Sequence, residues 1–461
     1  MKFPIFFFSI FLILFKNVIP KENETIIFAW QINRHGARAP YLGVKNGLDA
    51  YKEKWTQIEE LSEVGKRMLY LLGVKARKRY MDDYELLSKE YNPQEVYIRS
   101  TDVNRTIESI ECFLQGFYPN GTGPTIKDKV VNDTKIVYPP NIKYKDNFSE
   151  ILEEYNLIND NSALPYRMSL QPVHLFYKPD HEFGLYDTNL CTGHKEIYEK
   201  QKIRKEIQDL GDELVRKFDF FYKLENNSDS KFMRDYNTLY KYMDGFVCDY
   251  TDQRKFEYLI NNFKFSEENK TLLKEYSDKY LLMDYFDTNY PDNHSEIPIM
   301  SNSYTLHSII NWMEKAINGT KDNQSYIKYV IYSAHDASIG ALEHYMKYVF
   351  NTTPKYSTFA ETRFFELYYE NENKNEPKVR YINGNEDEIM LINFSEFKSI
   401  IENNTWTDEK VAKYCHFEIK KEEDNDNNDD SEKHTAIAAM VILSIINLIL
   451  ILVLIIQCIK K

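Results

Sequence analysis

Apolar residues follow two different periods along this chain, and the alternation between them predicts its elements. The run TIIFAWQI (25–32) is short, continuous and rich in β-branched and aromatic residues, which is typical of a buried strand. EVYIRST (95–101) has the same character, and the segment 325–346 begins with a third such run before a polar turn and a helical pattern. Residues 61–80 instead carry apolar side chains at helical spacing, with Ser62 as the expected N-cap.

Three further segments complete the predicted core. Residues 101–119 are expected to form an amphipathic helix that Thr101 or Asp102 caps. RFFELYYE (363–370) and KVRYING (378–384) have the composition of strands and predict an antiparallel pair late in the chain. Strands and helices in this order indicate an α/β fold, with a mixed sheet and flanking helices.

The middle of the chain, from about residue 120 to 310, has a different composition. It is rich in Asn, Lys, Tyr and Asp, and it contains helical stretches such as residues 195–224. We therefore expect a smaller, mainly helical subdomain inserted into the α/β core.

Both ends of the chain are predicted to be targeting segments. Lys2 precedes an apolar run that is typical of a signal peptide over residues 1–20, with a retained N-terminal anchor as the alternative. Residues 435–459 contain no charge and are long enough to cross a bilayer as a helix. The lysines at 460–461 would form a short cytoplasmic tail. A glycolipid-anchor signal is the alternative at this end.

This topology places a domain over residues 21–418, followed by an acidic stalk over 419–434, in the lumen or outside the cell. Asn-x-Ser/Thr triplets recur along the domain and support a glycoprotein. The domain has four cysteines in an oxidising compartment, and residue spacing alone leaves their pairing open and predicts no zinc site. These cysteines are Cys112, Cys191, Cys248 and Cys415. The net charge of −13 and the lack of a basic run argue against a nucleic-acid partner.

Polar clusters follow three of the predicted strands: NRHGARAP, Arg-Ser-Thr and Ala-His-Asp-Ala-Ser. Ligands of open α/β sheets bind outside the carboxyl ends of the strands, so we expect the three clusters on one rim. The forked guanidinium groups of Arg34, Arg38 and Arg99 suit phosphate oxygens. Surface arginines, or a buried Arg99 that pairs with a core carboxylate, are the alternatives.

Histidine and aspartate side chains of the same clusters supply reactive groups. An imidazole at His35 can attack phosphorus, and cationic neighbours favour its neutral form. His335 can donate to phosphate oxygens, and Asp336, when protonated, can supply the proton for a leaving alkoxide. A structural histidine and a helix-capping aspartate are the alternatives. The chain has neither a Gly-rich nucleotide loop nor metal-ligand spacing, which predicts a site without metal or cofactor.

Taken together, these segments resemble the histidine acid phosphatases, which include lysosomal and prostatic acid phosphatases and the phytases. The resemblance covers about residues 25–415, in family order, and rests on NRHGARAP, LSEVGKRMLYLLG, VYIRSTDVNRTIESIECFLQGFYP and YSAHDASIGAL. It implies a phosphoglycerate-mutase-like α/β domain with a smaller helical subdomain. It also implies His35 as the phosphorylated nucleophile, with Asp336 as the proton donor. The implied phosphate-binding residues are Arg34, Arg38, Arg99 and His335.

The resemblance further implies a disulfide between Cys191 and Cys415, and leaves Cys112 and Cys248 unassigned. It suggests a membrane-anchored enzyme for phosphate monoesters, in lysosomes or endosomes or at the cell surface. A phytase-like or lysophosphatidic-acid-phosphatase-like enzyme with a narrower substrate is one alternative, and Ala37 bears on it because lysosomal and prostatic members usually carry an acidic residue there. A non-catalytic surface binding protein is the other. A homodimer is left open.

Overall fold

The computed structural model describes residues 24–40, 59–127, 161–175, 191–194, 205–218, 236–252, 266–285, 296–370 and 373–416. All of these residues belong to the first of the two units into which the chain divides, Met1–His416, the second being Phe417–Lys461. The predicted signal peptide, acidic stalk and membrane helix lie outside the described residues. Within the described ranges, no helix is long and apolar enough to cross a membrane.

A seven-stranded mixed sheet forms the centre of the fold. Its strands are β1 (Glu24–Arg34), β2 (Val96–Ser100), β3 (His174–Leu175), β4 (Tyr329–Ala334), β5 (Thr362–Glu370), β6 (Asn373–Asn383) and β7 (Glu388–Asn393). Their order is β3-β2-β4-β1-β5-β6-β7. The first four strands of that order are parallel, and each later one is antiparallel to the strand beside it. The predicted late antiparallel pair is β5 and β6.

Helices flank this sheet. They are α1 (Glu63–Arg77), α2 (Asn104–Phe117), α3 (Lys205–Lys217), α4 (Tyr236–Thr251), α5 (Glu267–Tyr285), α6 (Glu296–Asp322), α7 (Asp336–Phe350), α8 (Phe394–Asn404) and α9 (Asp408–Cys415). A π-helical turn, Lys78–Asp83, continues α1, and short 3₁₀ turns cover Pro165–Arg167 and Thr192–His194.

Alternate side chains of the strands enter two separate apolar cores. Trp30 and Ile32 of β1 pack with residues of α6, α7 and α8, whereas Ala29 packs with residues of α1 and α2 on the other face. Side chains of a strand point alternately to the two faces of its sheet, so a strand covered on both faces reads as one continuous apolar run. The predicted α/β class, a mixed sheet with flanking helices, is confirmed.

The two helices nearest the first strands begin in different ways. Ser62 caps α1 as predicted, because its hydroxyl accepts from the N–H of Gly65 at 3.2 Å. The prediction that Thr101 or Asp102 caps α2 is wrong: the N-cap is Val103, without a side-chain hydrogen bond. Thr101 is instead used for tertiary contacts at the sheet rim.

The region predicted as a helical subdomain contains α3, α4, α5 and the start of α6. It also contributes β3, which pairs with β2 at the edge of the core sheet. The disulfide that the resemblance implied is present: Cys191 is bonded to Cys415, the last residue of α9. Cys112 and Cys248 are free thiols.

Candidate active site

The parallel strands β1, β2 and β4 end at nearly the same level of the sheet. Arg34 of β1 lies opposite Ala334 of β4, whose carbonyl accepts from the N–H of His35 at 2.9 Å. The N–H of Thr101, which follows β2, donates to the carbonyl of Ser333 on β4 at 3.1 Å. The polar segments after these strands therefore meet at one rim.

The loop after β1 passes close to the start of α1. The N–H of Gly36 donates to the Ser109 hydroxyl of α2 at 3.1 Å, and the Ala37 carbonyl accepts from the N–H of Ser62 at 2.9 Å. A Cβ on Gly36 would lie 2.4 Å from the carbonyl oxygen of Gly65, so any other residue would displace the backbone. Two glycines thus let the loop rest directly on the helix.

The His35 imidazole is buried in this loop, and one backbone contact sets its tautomer. The residue is 1% exposed, and Nδ1 lies 2.9 Å from the carbonyl oxygen of Gly36. A carbonyl can only accept, so Nδ1 carries the proton of the neutral ring and Nε2 keeps its lone pair. Burial lowers the pKa of His35 well below its ordinary value. Three guanidinium groups lower this pKa further, those of Arg34, Arg38 and Arg105.

Arg34 is almost fully buried, and its guanidinium group joins several parts of the site. Nη2 pairs with Oδ2 of Asp336 at 2.9 Å. Nη1 donates to the Tyr356 hydroxyl at 2.7 Å and to the Ser357 carbonyl at 2.6 Å. The group also lies over the ring of Phe359, 4.1 Å from its centroid. The segment between α7 and β5 therefore forms one wall of the site.

Arg38 is anchored by the helical part of the chain. Its Nη2 and Nη1 lie 2.7 and 3.2 Å from the two carboxylate oxygens of Asp244 on α4, which is a bidentate pair. Asp252, directly after α4, accepts from the Ser62 hydroxyl at 2.8 Å. No sequence motif indicated this helix as part of the site, because the contact joins segments about 200 residues apart.

Three arginines of the site each keep one buried N–H group without a protein partner. The Nε atoms of Arg34, Arg38 and Arg105 are buried and have no hydrogen-bond partner in the described part of the chain. Buried donors are nearly always satisfied in folded proteins, so a cluster of unsatisfied donors indicates an acceptor that binds there. Several guanidinium donors around one histidine suit an oxyanion such as phosphate.

Arg105, in the first turn of α2, lies near both histidines of the site, and no sequence motif indicated it. Its Nη1 pairs with Glu59 at 3.3 Å, and its charge lowers the pKa of His35 and of His335. Burial and the charge of Arg38 lower the pKa of Arg105 itself. A cation in a first helical turn meets the positive end of the macrodipole. An arginine in this unfavourable position, just after a polar strand end, is the feature of the sequence that could have indicated a role for Arg105.

Arg99, the arginine predicted at the end of the second strand, is the penultimate residue of β2. It is opposite Tyr332 of β4 and His174 of β3, and it is 6% exposed. Arg99 is not among the groups whose charges lower the pKa of His35 the most. The other predicted site residues are brought together at the rim; they are Arg34, His35, Arg38, His335 and Asp336.

His335 follows β4 and lies beside His35. The two ring centroids are 5.6 Å apart, and Nε2 of His335 is 3.0 Å from the Thr101 hydroxyl oxygen. Burial first, and then the charge of Arg105, lowers the pKa of His335 to about 3. This imidazole is therefore neutral at mildly acidic pH and can donate one hydrogen bond. Among the described residues, no group of three or more His, Cys, Asp or Glu is placed to hold a metal ion.

Asp336 opens α7 and divides its two oxygens between the helix and the site. Oδ1 accepts from the N–H of Ala337 at 2.9 Å, but the N-cap of α7 is His335, so the alternative that Asp336 caps this helix is wrong. Oδ2 faces Arg34 at 2.9 Å and the Tyr356 hydroxyl at 3.4 Å. Burial alone would raise the pKa of Asp336, but the charges of Arg34 and Arg38 outweigh burial and lower it. Because Oδ1 is used by the backbone of the helix, Oδ2 is the oxygen of Asp336 that can transfer a proton.

Known proteins resemble the chain along most of this fold. The family model described as "Histidine phosphatase superfamily (branch 2)" matches residues 25–383. Lysosomal acid phosphatase of Xenopus laevis is 24% identical, over 78% of this chain and 69% of that protein. Lysophosphatidic acid phosphatase type 6 of Mus musculus is 39% identical over 80 residues. That match covers 17% of this chain, and the chain spans only 19% of the relative's length.

Solved structures share the fold. The phytase of Hafnia alvei in complex with myo-inositol hexakis sulphate superposes with a TM-score of 0.52 and 15% identity. The superposition covers 84% of this chain and 98% of the phytase. At this identity the likeness concerns the fold alone.

Proposed function

The chain belongs to branch 2 of the histidine phosphatase superfamily, and from this premise we propose that it is an acid phosphatase with a phosphohistidine intermediate at His35. The observation that carries the proposal is the environment of that ring. Nε2 keeps its lone pair, and Arg34, Arg38 and Arg105 hold buried Nε–H groups that no atom of the described residues accepts. A neutral nucleophile among cationic donors suits attack on a phosphate ester.

The proposed reaction has two steps. In the first, Nε2 of His35 attacks phosphorus, the P–O bond to the alcohol breaks, and Asp336 gives its proton to the departing oxygen. In the second, Asp336 takes a proton from water as the water attacks phosphorus, and the bond between phosphorus and His35 breaks. Arg34, Arg38, Arg99 and His335, together with Arg105, stabilise the charge on the phosphoryl oxygens in both steps.

Asp336 must be protonated for the first step, although Arg34 and Arg38 lower its pKa in the free protein. A bound phosphate ester brings negative charge next to both arginines and so raises the pKa of Asp336 again. Substrate binding and mildly acidic pH therefore favour the same protonation state.

The carboxylates near the site favour simple monoesters over densely phosphorylated substrates. A cavity of about 350 Å³ beside Arg105 is lined by Glu59, Glu60, Val103 and Asn104. Asp252 contributes a further carboxylate where α4 meets Ser62. The additional phosphates of an inositol hexakisphosphate would be repelled by these groups. We therefore favour a general acid phosphatase over a phytase-like enzyme.

The similarity to a lysosomal acid phosphatase supports a lysosomal or luminal location. We further propose that residues 435–459 anchor the protein as a single C-terminal membrane helix, with a signal peptide at the N-terminus. Whether the protein forms a homodimer stays an open prediction.

The full-length protein in detergent can be tested for release of inorganic phosphate between about pH 4 and 8. Glycerol 2-phosphate, p-nitrophenyl phosphate and inositol hexakisphosphate form a suitable panel. We expect release from both monoesters, fastest at acidic pH, much slower release from the hexakisphosphate, and no loss on addition of a chelator. Absence of release from every substrate would contradict the enzyme assignment, and preference for the hexakisphosphate would contradict the substrate assignment.

A further inference from the structure

The segment between α7 and β5 is fastened to the loop that carries the nucleophile. The N–H of Ala360 donates to the carbonyl of His35 at 3.1 Å, and the N–H of Arg34 donates to the carbonyl of Glu361 at 2.9 Å. Glu343 of α7 pairs with Arg363 of β5 in a buried contact that ties both ends of the segment together. Side chains of this segment therefore have defined positions relative to the nucleophile.

One of these side chains, Tyr356, connects the phosphate-binding and proton-donating parts of the site. Its hydroxyl oxygen accepts from Nη1 of Arg34 at 2.7 Å. The hydroxyl proton is then directed to Oδ2 of Asp336, 3.4 Å away, a long contact of the kind found in unliganded catalytic sites. Burial raises the pKa of Tyr356 well above its ordinary value, so the hydroxyl keeps this proton.

Oδ2 is the oxygen of Asp336 on which proton transfer depends, because Oδ1 is used by the N–H of Ala337. Within the described part of the chain, Oδ2 contacts Nη2 of Arg34 and the Tyr356 hydroxyl. A phosphate ester that accepts from the Nε–H of Arg34 shares the charge of that guanidinium group with Asp336, which weakens the ion pair to Oδ2. The tyrosine hydroxyl is the neutral contact that phosphate binding leaves unchanged.

We propose that Tyr356 is a positioning residue that holds Oδ2 of Asp336 toward the leaving oxygen once phosphate has engaged Arg34. The proposal rests on the proposed phosphatase reaction. Tyr356 itself forms no bond to phosphorus and transfers no net proton. The proton that reaches the leaving oxygen comes from Asp336, as the P–O bond breaks and the bond from Nε2 of His35 to phosphorus forms.

This role predicts a dependence on the leaving group. An alkoxide is a strong base and needs the proton during bond cleavage, whereas p-nitrophenolate is stable enough to leave without it. Removal of the Tyr356 hydroxyl should therefore slow alkyl phosphates much more than p-nitrophenyl phosphate. A purely structural role, or a role only in holding Arg34 for phosphate, would slow both substrates equally.

The test compares full-length Tyr356→Phe with the wild type and with Tyr348→Phe, which removes a hydroxyl from a tyrosine that is 57% exposed on α7. For each protein, kcat/KM is measured with glycerol 1-phosphate and p-nitrophenyl phosphate, along with the inhibition constant of inorganic phosphate and the melting temperature. We expect Tyr356→Phe to lose about tenfold on the alkyl ester and less than about threefold on the aryl ester. The inhibition constant should change by less than about threefold, and Tyr348→Phe should match the wild type.

Equal losses on both esters, or no loss on either, would overturn the proposal. A loss accompanied by an equal rise in the inhibition constant would also overturn it, because Tyr356 would then act through phosphate binding. If Tyr356→Phe melts far below the wild type, both proteins are assayed at a temperature at which the variant remains folded, and equal losses on the two esters there contradict the role. An inactive wild type would instead refute the proposed function.

Discussion

Two clusters of buried arginines and carboxylates contact the central sheet, one around Glu366 of β5 and one at the rim around His35. They differ in how their arginine N–H groups are used. On β5, Glu366 accepts from Nε and Nη2 of Arg79 at 2.7 and 2.8 Å, and from Nε of Arg380 at 2.6 Å. The Tyr80 hydroxyl donates to it as well, at 2.7 Å. The remaining guanidinium nitrogens contact Glu386, Glu24 and the hydroxyl of Tyr84. Every nitrogen of these two arginines has a partner in the protein.

At the rim the pattern is different. Arg34, Arg38 and Arg105 have partners for part of each guanidinium group, but each retains a buried Nε–H without one among the described residues. Buried arginine alone therefore does not distinguish a functional site from a structural network. The two sets differ in that the rim arginines still have N–H groups available to an oxyanion, whereas those of Arg79 and Arg380 are used within the protein.

The electrostatic consequences differ accordingly. Burial would raise the pKa of Glu366, but Arg79 and Arg380 outweigh it and lower that pKa to about 2, so the network holds a stable anion. At the rim, burial and the nearby charges of Arg34, Arg38 and Arg105 keep His35 neutral. One set stabilises the fold, and the other is arranged for an incoming anion.

The largest effect should follow removal of the anion from the satisfied network. Glu366→Gln leaves Arg79 and Arg380 buried without their counter-charge, and we expect a loss of about 3–5 kcal/mol in the free energy of unfolding. The kcat/KM of the protein that remains folded should stay within about twofold of wild type. Denaturant titration and initial rates measure both quantities, and a large fall in kcat/KM at unchanged stability would break the comparison.

The next effect concerns the arginine that the sequence did not reveal. Arg105→Ala should lower kcat/KM by about 10²–10³-fold, because it removes one donor to the phosphoryl oxygens. Its stability should change by less than about 1 kcal/mol, since its ion pair with Glu59 is partly exposed. Arg99→Ala is the matched variant for the arginine predicted from sequence. An unchanged kcat/KM in Arg105→Ala would contradict the role of Arg105.

The smallest effect, at most about 1.4 kcal/mol for each pH unit, is a pH dependence of stability. The folded pKa of His335 is about 3, below its ordinary value of 6.5, so the unfolded chain binds the proton first as pH falls. The contribution of His335 to the free energy of unfolding is therefore fully present above about pH 6.5. It is lost as the pH falls toward 3, at up to about 1.4 kcal/mol per pH unit. The contribution of Glu366 is lost only below about pH 4.5, as pH approaches its folded pKa of about 2. His335→Asn should therefore reduce the slope between about pH 6.5 and 4.5 in denaturant titrations; an unchanged slope would be inconsistent with a buried neutral imidazole.

The sequence predicted the parts of the site that lie directly after a recognisable strand or helix pattern. His35 and Asp336 follow buried apolar runs, so strand ends and chemistry could be inferred together. The roles of Asp244 and Tyr356 could not be predicted, because they depend on tertiary contacts between distant segments. Arg105 shows the limit most clearly, because no motif marks it in the first turn of α2 and its influence on His35 depends on tertiary structure.

The central claim is that His35 carries the phosphoryl group. Full-length protein is mixed with p-nitrophenyl phosphate, quenched in alkaline denaturant because phosphohistidine is labile in acid, and digested for mass spectrometry. The matched control is His416→Asn, an exposed histidine whose left-handed backbone conformation asparagine accepts. We predict a phosphoryl group on the His35 peptide in the wild type and in His416→Asn, and neither phosphorylation nor turnover in His35→Asn. Phosphorylation of a different residue, or wild-type turnover in His35→Asn, would contradict the account.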